Sequence, residues 1–286
     1  MISKDSLTQH ISGQYNADLE AVRSHLLTMG GLVEKQVNDA VSSLIEGNAA
    51  LAAEVRKLDQ EINQMEVSID EECVRILARR QPAASDLRLI IGISKSVIDL
   101  ERIGDEATKI AKRAIELTED AGFSRGYDEI RHIGDQVRKM VQESLDAFAR
   151  FDVDLAAAVS QYDKTIDREY KSALRELVTY MMEDPRSISR VLSVIWVLRS
   201  LERIGDHARN IAELVIYMVQ GTDVRHKKLF AETPAESLLN LTAPGPVPGV
   251  VILVGQILGI SVATRTMLTG LQTGVANEQS QRAGGG

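Results

Sequence analysis

The chain has 286 residues, enough for about two domains of average size, and its single cysteine excludes a fold held together by disulfides. Its 33 lysines and arginines against 41 aspartates and glutamates give a formal net charge of −8. That charge disfavours nonspecific nucleic-acid binding and favours cations or basic partners. No apolar run follows Met1, so the sequence predicts a protein that stays in the cytoplasm.

Three apolar stripes with a spacing of three or four residues run through the first half of the chain. They are separated by a turn signal at Gly47-Asn48 and by Pro82, which cannot continue a helix interior. The stripes predict three long helices packed as an antiparallel bundle. Their members are Leu19, Val22, Leu26, Met29, Val33, Val37, Val41 and Leu44; Leu51, Val55, Leu58, Ile62, Met65, Ile69, Cys73 and Ile76; and Leu87, Ile90, Ser94, Val97, Leu100, Ile103, Ala107, Ile110, Ala114 and Leu117.

The same pattern returns about 104 residues later, with Pro185 standing where Pro82 stood. We therefore predict an all-α fold of two tandem three-helix bundles related by a pseudo-twofold internal repeat, at 1–121 and 122–228. The second set of stripes comprises Ile130, Ile133, Val137, Val141, Leu145 and Phe148; Leu155, Val159, Tyr162, Ile166, Tyr170, Ala173, Leu177 and Tyr180; and Ile188, Val191, Ile195, Leu198, Leu201, Ile204, Ala208, Ile211, Val215 and Met218.

The composition changes after Lys228. Four of the six prolines lie in 229–286, whereas only five charged residues do. Its apolar run at 250–263 is shorter than the roughly 20 residues that span a bilayer. We predict that 229–286 is a tail of low order that lies outside the repeat.

The sequence Leu-Glu-Arg-Ile-Gly-Asp occurs twice, at 100–105 and at 201–206. In each copy the two acids are four positions apart, so a helix places them on one face. Two like charges at that spacing cost a few tenths of a kcal/mol, so helix stability does not explain them. The glycine of the motif costs about 1 kcal/mol relative to alanine and indicates close approach of a neighbour. The acid pairs are Glu101 with Asp105 and Glu202 with Asp206, and the glycines are Gly104 and Gly205.

A further acid pair, Asp163 and Asp167, lies on the predicted fifth helix, and the equivalent positions on the second helix hold Asp59 and Asn63. Carboxylates from neighbouring helices favour hard cations such as magnesium, calcium, manganese or iron. The alternative is a set of ordinary salt bridges at helical spacing. These bridges would pair Arg102 with Asp105 and Arg203 with Asp206, three positions apart, with Lys109 and Arg209 nearby.

The doubled motif and four other segments resemble the PhoU family, the accessory regulators of bacterial phosphate uptake, over residues 4–226. The segments are His10–Gln14, Met29–Glu34, Arg79–Arg88 and Tyr180–Asp184. The resemblance implies two pseudosymmetric three-helix bundles with metal ions, such as iron, manganese or magnesium, bound at acidic surface motifs. Carried over to this chain, those motifs fall on Glu101, Asp105, Glu202, Asp206, Asp163, Asp167 and Asp59. Because Asn63 replaces the second acid, we expect weaker metal binding in the first half than in the second.

The resemblance also implies a function without catalysis. PhoU-like proteins link the Pst-type ABC phosphate transporter, through its ATPase subunit, to the PhoR-type sensor histidine kinase and keep the phosphate-starvation (Pho) response off. It further implies a cytoplasmic homodimer that is peripheral to the membrane complex. As the net charge already indicates, we expect no nucleic-acid partner. The alternative is a helical-bundle protein that binds or stores metal.

Three smaller features bear on these alternatives. A ferritin-like di-iron enzyme requires two Glu-x-x-His motifs, and only one, Glu129 with His132, is present. Cys73 and Trp196 are predicted to lie in the core, and His207 is predicted to lie on the surface.

Overall fold

Six α-helices make up the part of the chain that the computed structural model describes, residues 13–118 and 126–224. A one-turn 3₁₀ helix at Pro185–Ser187 precedes the last of them, and these ranges contain no strand. The predicted all-α class is therefore confirmed. The helices are α1 (Gly13–Ile45), α2 (Ala49–Arg80), α3 (Ala84–Thr118), α4 (Tyr127–Arg150), α5 (Val153–Glu183) and α6 (Ile188–Gln220).

The helix ends follow local chemistry that the sequence indicated. The Asn48 side chain caps α2 by accepting a hydrogen bond from the N–H of Leu51 at 3.0 Å. At its other end α2 stops at Gln81, which adopts a left-handed conformation with φ of 48° just before Pro82. The Asp152 side chain caps α5 in the same way as Asn48. The predicted turn and proline breaks are confirmed.

The two bundles pack against each other through their third helices. α3 packs on α1 and α2, α6 packs on α4 and α5, and the most extensive contact between any two helices joins α3 to α6. α1 also contacts α4 across the same interface. The tandem three-helix bundles are therefore confirmed, and the repeated motif lies on the two central helices.

Two predictions about side chains on α6 are wrong. Trp196 is only partly buried, and His207 is buried rather than exposed. His207 Nδ1 lies 2.8 Å from Asp99 Oδ1 on α3, and Asn210 donates to the same carboxylate oxygen. The apolar stripe of α6 defines only the side that faces its own bundle, whereas α3 covers a second side. Cys73, in contrast, is buried as predicted.

Some expectations fall outside the described residues. These are the boundary at 121/122, the tail at 229–286 and its apolar run at 250–263. Among the helices of the described ranges, none is long and apolar enough to cross a membrane.

Candidate functional site

Four predicted acidic residues of the second half form one cluster on α5 and α6. The pKa of Glu202 is raised to about 7, first by burial and then by the negative charges of Asp206, Asp167 and Asp163, against the opposing charge of Arg199. Glu202 therefore senses the charge of each of the other three carboxylates. We call this group, Asp163, Asp167, Glu202 and Asp206, the second cluster.

Basic side chains already pair with every carboxylate of the second cluster. Arg209 has the central position, because its guanidinium contacts the buried Asp163 and lies 3.2 Å from Asp206 Oδ1. Even so, burial leaves the pKa of Asp163 raised. The other pairs are Arg199 with Glu202 at 2.8 Å and Lys171 with Asp167 at 3.8 Å.

The first half has an equivalent cluster on α2 and α3. The pKa of Glu101 is raised first by burial and then by the charges of Asp105, Glu66 and Asp59, against the opposing charge of Arg102. We call the acids Asp59, Glu66, Glu101 and Asp105 the first cluster. Sequence reasoning missed Glu66 because it lies outside the four-residue spacing. Its position seven residues after Asp59, on the same helix face, was the available signal.

The first cluster lacks the basic partners of the second. Within the described ranges, none of its four carboxylates forms an ion pair with a lysine, arginine or histidine. The repeat explains the difference: the positions of Arg209 and Arg199 are taken in the first half by Thr108 and Ile98. The same fold thus positions two acidic clusters with different net charge.

Gln36 completes the first cluster from α1. This side chain is fully buried, and its Nε2 donates to Asp59 Oδ1 at 3.2 Å and to Thr108 Oγ1 at 3.3 Å. Its Oε1 has no hydrogen-bond partner. A Cβ added at Gly104 would lie 2.9 Å from that oxygen, so the glycine allows the approach of Gln36. The predicted close approach is confirmed at Gly104.

The second half differs at the equivalent contact. Met140 stands where Gln36 stands in the first half, and a Cβ at Gly205 would meet its nearest neighbours at an ordinary 3.7 Å. The tight approach predicted for both glycines is therefore found only at Gly104.

The salt-bridge alternative applies unevenly to the two halves. Neither pair that the alternative named is formed among the described residues: Arg102 forms no ion pair with Asp105, and Asp206 pairs with Arg209, at 3.2 Å, rather than with Arg203. Arg203 pairs instead with Glu106 of α3, at 2.9 Å, and Lys109 pairs with the same carboxylate at 3.0 Å. The basic residues near the motif therefore stabilise the second cluster and the α3–α6 contact, and they leave the first cluster uncompensated.

The donor atoms of the first cluster suit a hard cation. Carboxylate oxygens and the unpartnered amide oxygen of Gln36 are the ligand types that such ions take. In the described part of the chain, no three Asp, Glu, His or Cys side chains converge closely enough to bind one ion. Cation binding there requires rotation of the acidic side chains.

Comparison with known proteins is consistent with this architecture. The family model described as "PhoU domain" matches residues 26–114 and 130–215. The phosphate-specific transport system accessory protein PhoU homolog of Pseudomonas putida is 78% identical over 235 residues, which cover 81% of this chain and 92% of that protein. The accessory protein PhoU of Escherichia coli is 47% identical over 225 residues, covering 77% of this chain and 91% of that protein.

Two crystal structures match the fold. PhoU from Pseudomonas aeruginosa superposes with a TM-score of 0.72 at 78% identity, covering 73% of this chain and 100% of that chain. The phosphate transport system regulatory protein PhoU from Streptococcus pneumoniae has a TM-score of 0.68 at 30% identity and covers 74% of this chain and 99% of that chain. With both family segments matched and the fold shared, this chain belongs to the PhoU family.

Proposed function

We propose that this protein is a negative regulator of the phosphate-starvation response and of phosphate uptake. It acts as an adaptor between the Pst-type phosphate ABC transporter and a PhoR-type sensor histidine kinase. The observation that carries this proposal is the match over 92% and 91% of two relatives named as accessory proteins of the phosphate-specific transport system. Those names describe an accessory role and no catalytic activity, which supports a protein that is not an enzyme.

The architecture supports an adaptor in physical terms. Six helices of 24 to 35 residues give long surfaces on which two partners can bind at once. The formal charge of −8 favours partners with basic faces and accelerates their encounter. We propose the transporter ATPase subunit and the kinase as these partners, with the protein working in the cytoplasm as a homodimer at the periphery of the membrane complex.

A phosphate-responsive reporter in a strain without its own copy tests the adaptor. We expect full-length protein and residues 1–228 both to restore repression at high phosphate, because the family match ends at residue 215. Co-purification of the kinase and the ATPase subunit with tagged full-length protein is the second readout. Failure of the full-length protein to repress, despite normal expression, would contradict the proposal.

We further propose that the first cluster binds a divalent cation such as manganese or magnesium, or iron. The specific support is its four carboxylates without ion pairs and the unpartnered, buried Gln36 Oε1. Since Arg209 and Arg199 already neutralise the second cluster, we propose stronger binding in the first half. This ranking is the reverse of the one expected from Asn63 alone.

Metal storage remains the competing function, and it makes a different demand. A storage protein needs no contact with a kinase, whereas the adaptor needs both partners. An alanine variant of Glu101 and Asp105 separates the two. If the variant no longer binds metal but still represses normally, the adaptor function is supported. If the variant loses metal and the parent chain itself does not repress, the storage function is supported.

A further inference from the structure

We propose that a cavity between α3 and α6 binds a compact polyphosphate anion, of the kind carried by a nucleoside triphosphate. The cavity has a volume of about 330 Å³, within the range of roughly 300–1,000 Å³ that is common for small-molecule sites. It is built by the two central helices and contains no member of either acidic cluster, although Arg199 on its wall pairs with Glu202 of the second cluster. Its walls are Glu106, Lys109, Lys112, Arg113, Trp196, Arg199, Ser200 and Arg203.

The charge of this cavity is opposite to that of the whole protein. Five of its eight wall residues are lysine or arginine and only one is acidic, in a chain whose net charge is −8. A concave site lined by one sign of charge concentrates ions of the other sign. The cavity therefore selects anions.

Glu106 organises these cations and does not oppose an anion strongly. Its side chain is only 4% exposed, and its Oε1 accepts from Lys109 at 3.0 Å and pairs with Arg203 at 2.9 Å. Its Oε2 accepts from the Ser200 hydroxyl at 2.9 Å. Both carboxylate oxygens are thus occupied, while Lys109 and Arg203 remain 54% and 45% exposed and keep donors free for a ligand.

The remaining cations widen the site along both helices. Lys112 is exposed and forms no ion pair among the described residues. Arg113 and Arg199 each pair with one neighbouring glutamate and stay about one-third exposed. A single phosphate group can contact only some of the five cations at once, whereas a chain of phosphates presents charged oxygens to more of them. The spacing therefore favours a polyphosphate anion over inorganic phosphate.

Trp196 gives the cavity an apolar wall. Its indole is half-buried and lines the same cavity as the lysines and arginines. Aromatic rings stack on nucleobases for about 1–3 kcal/mol per base, and arginine adds cation–π attraction. A nucleoside triphosphate uses both the cations and this wall, whereas inorganic tripolyphosphate uses only the cations.

Because Trp196 is the only tryptophan of the chain, its fluorescence reports on the cavity directly. Full-length protein in EDTA-treated, low-salt buffer is titrated with ATP, tripolyphosphate and inorganic phosphate, and isothermal titration calorimetry measures the same affinities. We expect ATP and tripolyphosphate to bind at least about tenfold more tightly than phosphate. If ATP binds more tightly than tripolyphosphate and quenches Trp196 fluorescence, the site recognises the whole nucleotide. If the two bind equally, the site recognises only the polyphosphate group.

Alanine variants of lysines on α3, inside and outside the cavity, test where the anion binds. We expect Lys109→Ala combined with Lys112→Ala to weaken binding at least about tenfold. Lys95→Ala removes an exposed lysine of the same helix that lies outside the cavity, and it should leave affinity unchanged. The inference is overturned if neither polyanion binds at millimolar concentration, if phosphate binds as tightly as they do, or if the two lysine variants lose affinity equally.

Discussion

The same residue of the motif has different properties in its two copies, because the surrounding side chains differ. Glu101 and Glu202 occupy the same position of the repeated motif, and burial raises the pKa of both. Only Glu202 reaches about 7, and only Glu202 has an arginine partner within 4.0 Å. The difference arises from side chains on adjacent helices and turns, which the motif itself does not contain.

Glu202 should make stability depend on pH. Its folded-state pKa of about 7 lies above the ordinary value of 4.5, so the folded protein holds this proton more tightly than the unfolded chain. The associated stability is complete below pH 4.5 and is lost as the pH rises through 7. Glutamine at this position does not titrate. Between pH 4.5 and pH 7 we therefore expect the free energy of unfolding of Glu202→Gln to rise by up to about 3 kcal/mol relative to that of the parent.

Chemical denaturation in metal-free buffer from pH 4.5 to 8 measures this change. Glu61→Gln, at an exposed position of α2, is the control for removing one glutamate charge. A difference between Glu202→Gln and the parent that stays constant with pH would rule out a raised pKa at this site.

The two motif glycines should respond differently to alanine. Gly205→Ala meets ordinary contacts and gains helix propensity, so we expect about 0.5–1 kcal/mol of stabilisation. Gly104→Ala places its Cβ 2.9 Å from Gln36 Oε1, which forces the buried amide to shift and weakens its bond to Asp59. We expect that variant to be about 1 kcal/mol less stable than Gly205→Ala. Equal denaturation midpoints and slopes would contradict the tight contact.

At the scale of helices, the repeat conserves geometry while its chemistry diverges. α2 with α3 and α5 with α6 hold equivalent acidic clusters, and the motif glycine of each central helix faces a residue of the first helix of its bundle, Gln36 or Met140. Arg209 on α6 has Thr108 as its counterpart on α3. Together with Arg199, which has Ile98 as its counterpart, this guanidinium distinguishes the ion-paired second cluster from the first cluster, which has no ion pair among the described residues.

Removal of that guanidinium should expose the second cluster to metal. We expect Glu101→Ala with Asp105→Ala to reduce manganese affinity more than Glu202→Ala with Asp206→Ala. We expect Arg209→Gln to increase binding in the second half by roughly tenfold, because Asp163 and Asp206 lose their cation. Isothermal titration calorimetry with manganese measures all three. A larger loss from the Glu202 and Asp206 variant would restore the ranking expected from Asn63.

Breaking the Arg209 pair should also cost stability. Asp163 is buried with a 6% exposed side chain, and truncation of the partner of a buried charge costs about 3–5 kcal/mol. Manganese should recover part of this loss in Arg209→Gln. Lys171→Gln is the control, since its 66% exposed side chain holds Asp167 only at 3.8 Å and should contribute little.

At the scale of the whole molecule, the two bundles act as one unit. The contact between α3 and α6 is more extensive than any contact within a bundle. It includes the part-buried pair of His207 with Asp99 and the network around Glu106. Separation of the bundles would expose both polar groups and apolar surface.

Unfolding should therefore be a single cooperative event despite the internal repeat. We expect differential scanning calorimetry of the full-length protein to show one transition whose van't Hoff and calorimetric enthalpies agree. Two resolved transitions would mean that each bundle is stable alone. As a check on the interface, Asp99→Ala should lower the melting temperature without splitting the transition, because it leaves His207 without its part-buried acceptor.

Much of this protein was determined by local sequence. Apolar spacing along each helix, the turn signal at Gly47-Asn48 and the breaks at Pro82 and Pro185 predicted six helices in two sets of three. The doubled motif located both acidic pairs, because a helix of 3.6 residues per turn places positions four apart on one face. These features depend on residues close in the chain, so sequence alone reveals them.

Other features were decided only by the tertiary structure. The burial of His207, the place of Glu66 in the first cluster, the pairing of Arg209 and the basic cavity all join residues from different helices. Each helix has a single apolar stripe in its sequence, yet α3 and α6 are also covered on a second side by each other. Charge compensation depends on distances across these contacts, and helical periodicity carries no information about which side chain lies opposite another.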